Sequence, residues 1–212
     1  MAIIENSLLG QISGRIGELV YYRRCGKTCV RRYVEKSVGP GTELQQQQRR
    51  RIRSVSVFYQ ALKAVGLKEI WNRAAKEVCV SGYNLFVRLN IHVFSARGLI
   101  TDFSRIRLVV GRLPLPDMLQ VRRLSPGILS VKWELKSCYS PKRQADVLVL
   151  AFMKSESVYT IRLAECGDVC RAACEARIEL PETLAACPHC YCFFKSPQDG
   201  EVSESRYFNL NV

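Results

Sequence analysis

At Pro114–Pro116 the periodicity of the chain changes, and that change limits the folds open to it. Ahead of the prolines, apolar residues recur every three or four positions, the spacing of helices with one buried face. Behind them, apolar and polar residues alternate in short runs separated by turn residues, the pattern of half-buried strands. Seven strands are expected: Met118–Leu124, Ile128–Glu134, Asp146–Met153, Val158–Leu163, Ala172–Leu180, His189–Lys195 and Val202–Phe208. Leu129, Val131 and Trp133 alternate with Ser130, Lys132 and Glu134. Pro126-Gly127, Ser140-Pro141 and Gln198-Asp199-Gly200 supply turns. So many short strands in about 100 residues predict an antiparallel β-sandwich. Trp133, Val131, Val149, Leu150, Ile178 and Phe194 are its expected core.

The N-terminal region reads differently. Two β-prone runs, from Glu18 and from Thr28, flank Cys25-Gly26-Lys27, and Gly26 can take the positive φ of a tight turn, so a β-hairpin is expected. Gly10, Gly14 and Gly17 precede it and disfavour a helix. Gly39-Pro40-Gly41 then stops any strand. Thr42 and Gln45 have the spacing of a capping box. Behind them Leu44, Ile52, Val55, Phe58, Leu62 and Val65 predict one long helix ending near Gly66. A second helix would bury Leu67, Ile70, Trp71, Ala74, Ala75 and Val78, and a third, from Ser81, Leu85, Phe86, Leu89 and Val93. The fold class expected is α+β: a basic hairpin-plus-helical region over 1–113, then a β-sandwich domain over 114–212. The single Trp133 on the second strand is similar to fibronectin-III or immunoglobulin-like sandwiches, a likeness of fold and not of function.

Charge follows the same boundary. Residues 1–113 hold 20 Lys+Arg against 7 Asp+Glu, whereas 114–212 hold 12 of each. A surplus of 13 positive charges in one half points to an anionic partner: nucleic acid, a membrane face or an acidic protein. The candidate contact residues are Arg23, Arg24, Lys27, Arg31 and Arg32 on the hairpin and Arg49, Arg50, Arg51 and Arg53 on the long helix. Arg23 and Arg31 are expected to share a face with Tyr21 or Tyr33, an aromatic and cationic surface suited to nucleic acid. No apolar run approaches the roughly 18 residues of a membrane span. Glu5 stands where a secretory signal would carry a cation.

Ten cysteines invite a disulfide or metal reading. With no export signal visible, buried free thiols in a reducing cytosol are the expectation. The metal candidates are Cys187 and Cys190 within Cys187-Pro-His-Cys190-Tyr-Cys192, with Cys166, Cys170 and Cys174 as a second half; a zinc-stabilised interaction module is the least favoured alternative. Nucleophilic catalysis needs a base beside a Cys or Ser. The two histidines, His92 and His189, fall in different regions, and Asp102, Asp146 and Glu165 look isolated. No phosphate loop or dinucleotide fingerprint is present. Neither enzymatic activity nor a cofactor is expected.

Several segments resemble an uncharacterised family common in Bacteroidota. They are Leu9-Gly-Gln-Ile-Ser-Gly-Arg-Ile-Gly-Glu-Leu-Val, Gly26-Lys-Thr-Cys-Val-Arg and Thr42-x-x-Gln45-x-x-x-Arg49-x-x-Ile52. Ser81-Gly-Tyr-Asn-Leu-Phe-Val-Arg-Leu-Asn90, Gly111-Arg-Leu-Pro-Leu-Pro116 and Ser203-Glu-Ser-Arg-Tyr207 extend the likeness nearly end to end. The central pattern is also similar to that of small phage and prophage proteins. The extra cysteines, the Gln45–Gln48 run and the Arg49–Arg51 cluster depart from it. The resemblance implies a place in phage-like or mobile assemblies and no catalysis. The expected function is therefore a structural or assembly protein of phage-like origin, made in the bacterial cytoplasm and incorporated into a virion or phage-like particle. Its hairpin would contact neighbouring copies or other structural proteins through an exposed strand edge. Sequence-nonspecific nucleic-acid binding by the cationic half is the alternative.

Overall fold

The computed structural model describes residues 2–4, 12–24, 26–35, 39–154 and 159–211. Glu5, Leu9, Gly10, Gln11, Cys25 and Val158, which carry some of the expectations above, lie outside them.

Four short strands come first: β1 (Ala2–Ile4), β2 (Gly14–Ile16), β3 (Leu19–Arg24) and β4 (Lys27–Arg32). They form an antiparallel sheet in the order β1-β4-β3-β2. The expected hairpin is β3–β4, with Arg24 opposite Lys27 and Gly26 at φ 77° in the connection. Gly17, at φ 58°, opens the two-residue turn between β2 and β3, the position where a hairpin turn of this length tolerates positive φ. The hairpin does not offer the free edge expected of it: β1 covers one side and β2 the other, so only those two short strands are edges.

Three helices follow. α1 (Glu43–Ala64) starts on the expected capping box: the Gln45 amide donates to Thr42 Oγ1 at 3.3 Å, and the Thr42 amide donates to Gln45 Oε1 at 3.1 Å. α2 (Lys68–Lys76) and α3 (Gly82–Asn90) complete the layer, and Ser81 Oγ caps α3 through the Asn84 amide at 3.1 Å. Val55, Phe58, Leu62, Trp71 and Phe86 are fully buried. Leu44, Ile52 and Val78, expected on buried faces, are exposed, and Leu85 and Leu89 are half-buried. The first turns of α1 extend beyond the packed layer, where apolar spacing alone has nothing to bury against.

The C-terminal half comprises β5 (Asp117–Ser125), β6 (Ile128–Glu134), the short α4 (Pro141–Gln144), β7 (Val147–Met153), β8 (Ile161–Cys170), β9 (Glu175–Glu179), the short α5 (Glu182–Ala185), β10 (His189–Lys195) and β11 (Arg206–Asn209). All pairings are antiparallel, in two sheets ordered β5-β6-β9 and β11-β10-β7-β8. The expected strand over 172–180 is shorter, because a 3-10 turn at Arg171–Ala173 and Cys174 at φ 59° precede β9. The last expected strand begins late: Val202 and Ser203 make only isolated bridges before β11.

One apolar cluster joins the two sheets and includes Leu129, Val131, Trp133, Leu148, Leu150, Phe152, Cys190, Cys192 and Phe194. A second joins the other face of β7 and β10 to the helices, bringing Val149, Ala151, Met153, Tyr191 and Phe193 against Phe58, Trp71 and Phe86. The four-stranded sheet is thus a middle layer, buried on both faces. Val149, expected between the sheets, faces the helices instead, and Ile178 is only partly buried. The connection between helices and sheets is pinned at Gly111, where an added Cβ would overlap the Val202 carbonyl oxygen, and by the Leu113 amide donating to that same oxygen at 3.0 Å.

Candidate functional site

The register of the N-terminal sheet sorts its side chains into two unlike faces, since directly opposed residues share a face and neighbours alternate. Ile16 pairs with Leu19, Gly14 with Tyr21, Tyr21 with Val30, and Leu19 with Arg32. One face therefore carries Ile16, Leu19, Tyr21 and Val30, with Arg23 and Arg32 at its ends. The opposite face carries Arg15, Val20, Tyr22, Arg24, Lys27, Cys29 and Arg31. Each of Arg23 and Arg31 has one of the expected tyrosines on its face, Arg23 with Tyr21 and Arg31 in phase with Tyr33, and the two arginines lie on opposite faces. The Arg15 guanidinium lies 3.5 Å above the centre of the Tyr33 ring. Burial is sparse here. Among the described residues of β2, β3 and β4 only Cys29 is buried, while Ile16 is 57% and Leu19 42% exposed.

All five hairpin cations are exposed, as are Arg49, Arg50 and Arg53; Arg51 is half-buried. Arg49 donates to the Pro40 carbonyl at 2.8 Å, tying the Gly39–Gly41 segment to the second turn of α1. Arg32 meets Glu18 at 3.2 Å, an exposed pair of little energetic weight. At its tip the hairpin meets the connection between α2 and α3. Tyr22, Arg23 and Arg24 there line a groove of about 700 Å³ with Lys76, Cys79, Val80, Ser81 and Asn84. Sequence reasoning missed Lys76, Ser81 and Asn84, because their proximity to the hairpin depends on chain folding and on no local motif.

Two other charged clusters are internally compensated. A cleft of about 370 Å³ between the helices and the β10–β11 connection contains Arg73, Arg107 and Arg112. Arg112 pairs with Glu77 at 2.8 Å, Arg107 with Glu204 at 3.2 Å, and Arg73 donates to the Asp199 carbonyl at 3.0 Å. Asp146, which looked isolated in sequence, is fully buried 3.2 Å from the equally buried Arg171. Arg171 also donates to the Pro114 carbonyl at 2.9 Å and lies 4.4 Å above the Phe194 ring. Burial pushes the Asp146 carboxyl above its usual range, against the opposing pull of Arg171 and Arg143. This pair ties the strands to the interdomain-like connection at Pro114 and is a structural feature.

His189 stacks on Phe103 with ring centres 3.5 Å apart, and its Nδ1 is 2.9 Å from the Tyr207 hydroxyl. Burial lowers its pKa. The described contacts of His189 are thus a stacked aromatic ring and a tyrosine hydroxyl. His92 is exposed in a 3-10 turn after α3. Cys187 and Cys190 both lie in the core between the sheets. Burial raises both thiols, and Cys166 beside them to about 11. Among the described residues no group of three or more His, Cys, Asp or Glu could hold a metal ion, and no helix is long and apolar enough to cross a membrane. No family model, curated protein or solved structure matches the chain.

Proposed function

We propose that the protein is a non-enzymatic structural or assembly protein of phage-like origin whose N-terminal sheet contacts neighbouring copies or another structural protein. One observation carries this reading: the Ile16–Leu19 cross-strand pair stays largely exposed beside Tyr21 and Val30, in strands β2 to β4 where Cys29 alone is buried among the described residues. A small sheet gains independent stability when an apolar face is covered. Here the cover would come from another molecule. The C-terminal sheets support a fibronectin-III or immunoglobulin-like identity for the second half. Its first, second and fifth strands form one sheet and its third, fourth, sixth and seventh the other. Trp133 on the second strand packs edge-on against Phe194 at 5.4 Å. Synthesis in the bacterial cytoplasm and incorporation into a phage-like particle belong to the same proposal.

Sedimentation equilibrium over a wide concentration range tests it. Concentration-dependent association is expected, and Ile16→Lys with Leu19→Lys should shift it toward monomer without lowering Tm. A strictly monomeric chain, indifferent to both substitutions, would overturn the reading. The opposite, cationic face favours a second one, nucleic-acid binding without sequence preference, because Arg15, Arg24, Lys27 and Arg31 gather there with Tyr22.

A further inference from the structure

We infer that the groove between the hairpin tip and the α2–α3 connection binds the backbone of single-stranded nucleic acid, an inference that rests on the second reading above and gives it a site. Three cations from two separate elements, Arg23 and Arg24 of β3 and Lys76 of α2, line it, and no carboxylate is among its described lining residues. The contrast with the cleft on the other side of α2 is informative, because there arginines and glutamates share the walls. Glu77, the carboxylate next to Lys76 in sequence, is held by Arg112 at 2.8 Å. No ion pair among the described residues engages Arg24 or Lys76. No described carboxylate neutralises their charge, which the phosphates of a bound strand would.

The remaining lining residues fit a strand better than an isolated anion. Tyr22 is half-buried in the groove wall and provides an aromatic surface, while Ser81 and Asn84 supply uncharged polar groups. A cationic track beside an aromatic platform follows phosphates and stacks bases irrespective of sequence. At about 700 Å³ the groove is within the size range of small-ligand sites and large enough for a nucleotide unit. Its open form suits a chain that enters and leaves.

The test is fluorescence anisotropy of the full chain with a labelled twelve-residue oligothymidylate, titrated with salt. Each phosphate contact on a single strand contributes about 0.7 to the slope of log affinity against log salt. Arg24→Gln with Lys76→Gln should therefore lower that slope by about 1.4. Arg122→Gln with Arg177→Gln, an equal charge change on the exposed face of the three-stranded sheet, should leave it unchanged. Tyr22→Leu should weaken binding by roughly tenfold, whereas Tyr22→Phe should not. Circular dichroism melts establish that each variant is folded. Equal slopes for the two double variants would overturn the site even if the chain binds DNA elsewhere. Absence of oligonucleotide binding at 150 mM salt would overturn the site and the nucleic-acid reading together. Displacement of the oligonucleotide by tripolyphosphate at equal phosphate concentration would reassign the groove to free phosphates. The self-association experiment is independent of all three outcomes.

Discussion

Two buried polar residues show how single side chains are made tolerable in this core. Arg171 and Asp146 are both fully shielded, and each would be costly alone. Asp146→Ala should destabilise the fold by about 3–5 kcal/mol, because it leaves the guanidinium buried without its partner. Asp146→Leu combined with Arg171→Met should recover most of that loss, since the pair's attraction is offset by its desolvation. Urea unfolding of the single and double variants measures both. A second residue-scale effect comes from His189. Its pKa is lowered by burial against Phe103, so the unfolded chain binds the proton more tightly than the folded one. The stability it contributes is present above about 6.5 and is lost as pH falls through the depressed folded value. Tm should drop across that window, and the drop should flatten in His189→Gln. Identical profiles for both proteins would refute the assignment.

At the scale of elements, α1 is stabilised differently at its two ends. Its C-terminal half is held by Val55, Phe58 and Leu62 in the core, but its first turns contribute no buried residue. Local interactions must therefore carry them, chiefly the reciprocal Thr42 and Gln45 hydrogen bonds. Thr42→Ala should cost about 1 kcal/mol and increase hydrogen exchange in 43–50, leaving the turns beyond Val55 protected. A uniform rise along the whole helix would show that the cap acts globally. β7 and β10 differ from β6 for a related reason. β6 exposes Lys132 and Glu134 on one face, while the apolar run Val147–Met153 leaves no face for water.

At the scale of the molecule, those two strands connect the layers. Trp71 lies in the cluster beneath the helices and donates to the Leu108 carbonyl at 3.1 Å; Trp133 lies between the sheets and donates to the Arg171 carbonyl at 2.8 Å. They are the only two tryptophans, one per cluster. If β7 and β10 couple the clusters, Trp71→Phe and Trp133→Phe variants, each reporting from the remaining indole, should show thermal transitions that coincide with their own circular dichroism melts. A fluorescence transition displaced from the circular dichroism melt in either variant would mean that helices and sheets unfold as separate units.

The helices, the hairpin and most strands were legible because they rest on local physics: a capping box, a turn glycine, alternation of one buried face. Ile128–Glu134 coincides with its expected bounds for that reason, and His189–Lys195 coincides with its bounds although both of its faces are buried. The third layer was legible too, in the unbroken apolar run of β7, which marks a strand buried on both sides. Reading that run as half-buried misplaced Val149. The cationic surplus of the first half is likewise a property of the sequence. Its arrangement is not. Strand register separates Arg23 from Arg31, and folding brings Lys76 to Arg24 while giving Glu77 to Arg112. The Asp146–Arg171 pair spans 25 positions and no local pattern announces it. Propensity and periodicity act over a few residues, whereas which charges meet, and which remain uncompensated, is decided by contacts between segments far apart in the chain.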